Sequence, residues 1–254
     1  MNTQKLIYLA AGILLGFAAG FFFTNSVNRK EHEALRAEVA RLRAGEGAAQ
    51  RSGTPGPNPT EQLSDEEIRQ KIAAADANPA DLRYQHDLAR GLFLYATNFD
   101  RPDLLPEIAR LLKRVTDAEP SNEGSTLLLA NTYFLMGQSG DPARFADART
   151  LYAKLLKTKP GDVYLHTALG LAYFHDRPSD PRRAIGEFRR SLERDPRHEM
   201  SLQALAAALI SVGETEEARR RLEELQSVNP ANPQLPSLRA DLERKTNEAA
   251  GGRE

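Results

Sequence analysis

Between Pro196 and Pro230, 34 residues apart, the apolar positions fall into two helical runs. Leu202, Leu205, Ala206 and Leu209 recur at helical spacing and so share one face. Gly213 stands where that run stops, and Ala218, Leu222 and Leu225 line a second run behind it. Asn229-Pro230 closes the unit, because proline lacks the N–H and its ring clashes with the preceding turn. The pattern predicts one helical hairpin.

The same hairpin recurs upstream. Leu169, Gly170 and Tyr173 precede Ala184, Phe188, Ser191 and Pro196; Leu129, Ala130 and Tyr133 precede Ala148, Tyr152, Leu155 and Pro160. Leu88, Ala89 and Leu92 precede Ile108, Leu112, Val115 and Pro120. Counted from the small or apolar residue that opens each second-helix set, the offsets are +4, +7 and +12 in all four units. A helix–turn–helix unit repeating at this period is the mark of a solenoid, in which each hairpin buries its apolar face against its neighbours.

These sets resemble the tetratricopeptide repeat (TPR), and the resemblance covers roughly Leu63 to Lys245. In that family Leu-Gly/Ala and an aromatic mark the first helix, and Ala, a large apolar residue and Pro mark the second. The chain departs from the family in two ways. Thr126, His166 and Leu202 stand where a Trp is usual, and the Pro79→Pro120, Pro120→Pro160 and Pro160→Pro196 intervals are 41, 40 and 36 residues. The extra residues fall between the two helices of a unit, in FDRPDLLPE, SGDPARF and RPSDPRR. Asp141-Pro142 and Asp180-Pro181 read as an N-cap acid before a first-turn proline, so each restarts a second helix.

The resemblance implies an all-α, right-handed solenoid over 63–245, with about four repeats at 80–120, 121–160, 161–196 and 197–230. A helix at 231–245, with Leu235, Leu238 and Leu242 on one face, reads as a solvated cap, and 246–254 as a disordered tail. Ser64 and Glu67 form a capping box ahead of Ile68, Ile72 and Ala75, so the first helix reads as a half-repeat that caps the N-terminal end.

The N-terminal quarter has a different pattern. Leu6 to Phe23 is 18 residues without a charge, about 27 Å of helix against a hydrocarbon core of about 30 Å. Residues 1–28 therefore read as a transmembrane anchor. A signal peptide is the rival reading, but Phe21-Phe22-Phe23 after Gly20 offers no small-x-small cleavage site. Gly12, Gly16 and Gly20 share a helix face, which suits close packing of two membrane helices into a homodimer; glycine is also simply frequent in membrane helices. Residues 29–44 predict a juxtamembrane helix, whose His32, Leu35, Val39 and Leu42 offer a two-heptad coiled-coil seam. Residues 45–62 (GEGAAQRSGTPGPNPTEQ) predict a disordered linker with a reach of about 20–25 Å. Arg29, Lys30, Arg36, Arg41 and Arg43 against Lys5 favour a single-pass inner (plasma) membrane protein with a cytoplasmic body. A short N-terminus with one Lys is also the layout of a signal anchor with an external, periplasmic body.

Charge and composition narrow the function. Net charge is −1, and residues 1–60 carry +3, leaving the body mildly acidic and without the basic surface that nucleic acid requires. With no cysteine, disulfides, thiolate metal sites and a cysteine nucleophile are excluded. The five histidines show no metal-ligand spacing, and no phosphate loop or nucleophile elbow is present. We therefore expect no enzyme activity, no cofactor and no metal.

In the family the first helices line a concave groove. Aligned on Leu88, Leu129, Leu169 and Leu205, the positions five residues on are Phe93, Phe134, Phe174 and Ile210. The resemblance implies an aromatic stripe edged by His86, Arg90, Asn131, Tyr164, Thr167, His175 and Gln203, suited to a protein or peptide partner. The alternative is that these rings pack between repeats. The acidic-tail clamp of chaperone-binding members finds only partial matches in Arg83, Arg90 and Asn131. The expected function is a membrane-anchored adaptor in assembly or biogenesis, in layout like the membrane TPR proteins of cytochrome c maturation or envelope assembly. A self-associating membrane scaffold and a docking subunit of a larger membrane complex are the alternatives.

Overall fold

The computed structural model describes residues 63–251. The anchor with Gly12, Gly16 and Gly20, the juxtamembrane helix and the linker lie outside the described residues. Among the described residues no helix is long and apolar enough to cross a membrane. Ten α-helices and one 3₁₀ turn account for the described secondary structure.

The chain divides into two units, residues 1–77 and 78–254. In the first, α1 (Asp65–Ala77) starts at the capping box read from the sequence. The Ser64 N–H donates to Glu67 Oε2 at 2.8 Å and the Glu67 N–H donates to Ser64 Oγ at 3.2 Å, which satisfies two N-terminal amides reciprocally.

The second unit is a run of helical hairpins: α2 (Leu82–Asn98) and α3 (Leu105–Ala118), α4 (Glu123–Gln138) and α5 (Arg144–Thr158), α6 (Val163–His175) and α7 (Pro181–Arg194), α8 (Glu199–Val212) and α9 (Thr215–Val228), closed by α10 (Leu235–Gly251). Each helix packs on the next in sequence, and first helices also meet first helices: α2 with α4, α6 with α8, and α8 with α10. This stacking is what the repeated positions dictate. Ile108, Ala148, Ala184 and Ala218 are fully buried, as are Leu112, Tyr152 and Phe188 four residues on. Burial of a large apolar side chain contributes about 1.5–3 kcal/mol, so each repeat holds its hairpin together through the same set.

Local chemistry sets the joints. The residue two after Pro79, Pro120 and Pro160 is the N-cap of the next first helix. Asp81, Asn122 and Asp162 accept from the Tyr84, Ser125 and Leu165 amides at 2.9–3.0 Å. Asp180 caps α7 with Pro181 in its first turn, as expected. Asp141 does not cap α5. The backbone makes a further turn, with Arg144 N bonded to Asp141 O, so the helix starts at Arg144 behind Ala143, and the Asp141 carboxylate pairs instead with the Arg144 side chain. Gly213 ends α8 in the left-handed region (φ 80°), which lets Glu214 N reach back to Leu209 O. The last helix runs to Gly251 instead of fraying at Lys245. Thr246 Oγ1 bonds Leu242 O, Lys245 pairs with Glu248, and alanines follow at 249 and 250.

Candidate binding face

The first helices carry the residues proposed for recognition, and five of the polar ones, His86, Asn131, Tyr164, Thr167 and Gln203, are hydrogen-bonded within the stack itself. The His86 ring nitrogen Nδ1 lies 2.8 Å from Ser125 Oγ, and Thr167 Oγ1 lies 2.7 Å from Ser201 Oγ. These two bonds join equivalent positions, the first between repeats one and two and the second between repeats three and four. Leu127 and Leu165 hold the same positions between repeats two and three. There the neighbouring rung is polar instead: Asn131 Oδ1 accepts from Tyr164 OH at 3.0 Å and from Tyr152 OH at 2.8 Å. Gln203 Oε1 accepts from Asn232 Nδ2 at 3.0 Å, tying repeat four to the segment ahead of α10. Thus His86, Asn131, Tyr164, Thr167 and Gln203 form a ladder of hydrogen bonds running from repeat to repeat.

The aromatic positions are part of the same packing. Phe93 is 4% exposed and Phe134 3%, so they do not present an open stripe. Phe134 meets Phe145 edge-on at 5.5 Å and the His175 ring at 6.2 Å, while Phe174 lies 5.5 Å from His175. Phe134, late in α4, therefore packs against α5 and against the next first helix, α6. Only Phe174 of these three phenylalanines keeps a half-buried surface. Burial pushes the His175 imidazole down to about 4, so the ring is neutral among its aromatic neighbours. Burial likewise raises the Tyr164 hydroxyl, despite the bond to Asn131, and keeps it a neutral donor.

What stays open lies on α2. Arg83, Asp87, Arg90 and Leu94 sit at i, i+4, i+7 and i+11, one face of the helix, and all four are exposed. Leu94 is 38% exposed, and Phe99, stacked at a tilt 4.7 Å from Tyr95, is 36% exposed. Asp87 sits between the guanidinium groups of Arg83 and Arg90, at 3.8 and 3.9 Å. At this distance and exposure such pairs contribute little to stability, so the arginines are available to a carboxylate. In contrast, Tyr164 through Ala172 on α6 are all buried. Of the groove residues read from the sequence, Arg90 alone belongs to the open stripe, beside Arg83 from the partial clamp match. Leu94 was missed, although its phase marks it: it is an apolar residue out of step with the buried Ala89, Leu92, Phe93 and Ala96.

Residues 178–242 match the family model described as tetratricopeptide repeat. That stretch carries the tetratricopeptide repeat. No curated protein matches it. Among solved structures, residues 41 to the end of MamA from Desulfovibrio magneticus RS-1 superpose with a TM-score of 0.53 at 14% identity, covering 66% of this chain and 87% of that one. Another crystal structure of MamA gives a TM-score of 0.51 at 15% identity, with 65% and 88% covered. At these identities the likeness is one of fold, and it supports the helical-hairpin solenoid directly. Among the described residues of this repeat protein, no group of three or more His, Cys, Asp or Glu side chains is placed to hold a metal ion.

Proposed function

We propose that this chain is a scaffold that recruits a partner protein to a membrane through the exposed stripe of its first repeat. The observation that carries the reading is the contrast along the first helices. The ladder commits the polar positions of later repeats to one another, whereas Arg83, Asp87, Arg90 and Leu94 remain exposed together. Two guanidinium groups beside an apolar anchor fit a segment in which carboxylates flank a large apolar residue. The uncharged run Leu6–Phe23 and the Gly/Pro-rich 45–62 would hold this surface near the bilayer, with the body on the cytoplasmic side as the basic flank favours. A role in assembly or biogenesis rests on the analogy of this layout with membrane TPR proteins of that kind.

The test is capture from solubilised membranes with the full chain. A protein retained in stoichiometric amount by wild type should be lost with Arg90→Glu plus Leu94→Asp and kept with Arg219→Ala, an exposed change on α9. Equal retention by all three proteins sinks the assignment of this stripe. A C-terminal reporter active only on the external side would overturn the cytoplasmic orientation.

A further inference from the structure

The stripe on α2 has a counterpart in the sequence of the chain itself. Arg83, Asp87, Arg90 and Leu94 follow one another at intervals of four, three and four residues. Glu31, Leu35, Glu38 and Leu42 follow at the same intervals, within the stretch whose pattern predicts a juxtamembrane helix. These four lie outside the described residues, and it is their order in the sequence that matches. At 3.6 residues per turn the basic Arg36 and Arg43 belong to another face of that helix.

Set side by side in parallel, Glu31 falls opposite Arg83, Glu38 opposite Arg90 and Leu42 opposite Leu94. The one unmatched rung sets Leu35 beside Asp87. Turned antiparallel, Glu38 falls opposite Asp87, carboxylate against carboxylate, and Leu42 opposite Arg83. Of the two orders, the parallel one joins both acids to guanidinium groups and the two leucines to each other. The face of α2 admits such a neighbour. Its four residues are exposed, and so is Gly91 among them. A Cβ built on Gly91 would meet nothing within 4 Å. A second helix can therefore approach closely there, and in the parallel order Val39 falls opposite that glycine.

We propose that the stripe on α2 receives residues 31–42 of a second copy of this chain. The inference rests on the reading of that stripe as a docking face and names its occupant. Each copy carries one stripe and one acidic segment, so two copies can make the contact twice about a two-fold axis. Copies held side by side in a bilayer through Gly12, Gly16 and Gly20 would meet at high effective concentration, which strengthens a contact too small to hold alone. A partner protein would take the stripe in competition with the second copy.

The chain has no cysteine, so one introduced pair reports the contact. Full-length chain with Val39→Cys is mixed with tagged full-length chain with Gly91→Cys, reconstituted in detergent micelles and exposed to a mild oxidant. The mixed disulfide dimer should form about tenfold faster than with Arg219→Cys, an exposed position on α9, in place of Gly91→Cys. Arg90→Glu on the Gly91→Cys chain should remove the excess, as should Glu38→Arg on the Val39→Cys chain. The two together should restore it. Equal rates for the α2 and α9 positions overturn the proposal, and so does a charge exchange that restores nothing. A chain carrying both cysteines, diluted with excess cysteine-free chain, should lose its cross-links; an intrachain bond undiminished by dilution also overturns the second copy. Glu38→Arg leaves the stripe intact, so partner capture should persist in that variant. Capture that depends on the stripe without cross-links sinks this inference alone, whereas cross-links without such capture support it and sink the recruiting role.

Discussion

Gly170 and Phe188 approach so closely that a Cβ added to the glycine would stand 2.5 Å from the ring. Phe188 is fully buried, so its ring cannot swing away. The equivalent first-helix positions hold Ala89, Ala130 and Ala206, and Ala130 coexists with Tyr152 at the position of Phe188, so the glycine answers the particular close approach of the Phe188 ring. Gly170→Ala would add a methyl group that lowers the local helix cost by up to about 1 kcal/mol but forces the two helices of the third hairpin apart. Overpacking of this kind costs about 1–3 kcal/mol, so the net effect should be destabilising. Thermal melting should show a lower midpoint for Gly170→Ala and a recovered one for Gly170→Ala with Phe188→Leu. A higher midpoint for the single variant would contradict the close approach.

The neutral His175 makes the array sensitive to acid. Burial holds its pKa at about 4, below the ordinary value of 6.5. The unfolded chain therefore takes up the proton first as pH falls. The contribution of the neutral ring is fully present above about pH 6.5, declines between 6.5 and 4, and changes no further below 4. That window is worth at most about 3 kcal/mol. Burial also lowers His86 and His198, which act in the same direction. His175→Phe keeps the ring contacts with Phe134, Phe145 and Phe174 but removes the proton. Urea midpoints at pH 7 and pH 4.5 should differ less in this variant than in wild type. Equal differences would assign the acid sensitivity to groups other than His175, His86 and His198 among them.

Asn131 offers a sharper measure of the ladder because two buried hydroxyls depend on one oxygen. Tyr152 is fully buried and Tyr164 is 7% exposed, and both donate to Asn131 Oδ1. Asn131→Ala strands both donors, at about 1–3 kcal/mol each. Tyr152→Phe or Tyr164→Phe removes one donor and leaves the acceptor served by the other, so each should cost about 1 kcal/mol. With both tyrosines already changed to phenylalanine, the further cost of Asn131→Ala should shrink. A double-mutant cycle by chemical denaturation checks this. Strict additivity would mean that the hydroxyls find other partners.

The hairpin register could be read because it is carried by short-range spacing. Ala148, Tyr152 and Leu155 announce one face within two helical turns, and the structure buries all three. The ladder could not be read in that way. His86 meets Ser125 from 39 positions away, and only the stacking angle brings them together. The same limit explains Phe134. Spacing placed it on the first helix and away from the hairpin seam, but whether that side met solvent or the next repeat depended on His175 and Phe145. Asp141 misled for a local reason: Asp-Pro suits both an N-cap and the turn before one, and backbone bonding chose the turn.

The contrast between Phe134 and Leu94 separates core from surface in one experiment. Both are large apolar residues near the C-terminal end of a first helix; the family resemblance names Phe134 as either a groove residue or a packing residue and does not name Leu94. In the structure Phe134 is 3% exposed and Leu94 38%. Truncating a buried phenylalanine removes its transfer energy and leaves a cavity, so Phe134→Ala should cost about 3–5 kcal/mol. Leu94→Ser removes a surface side chain and should change stability by no more than about 0.5 kcal/mol. Partner capture should respond in the opposite sense, lost with Leu94→Ser while the melting midpoint stays at the wild-type value. A melting midpoint lowered as much by Leu94→Ser as by Phe134→Ala would show that Leu94 is covered within the chain, and the stripe on α2 would then no longer be an available face.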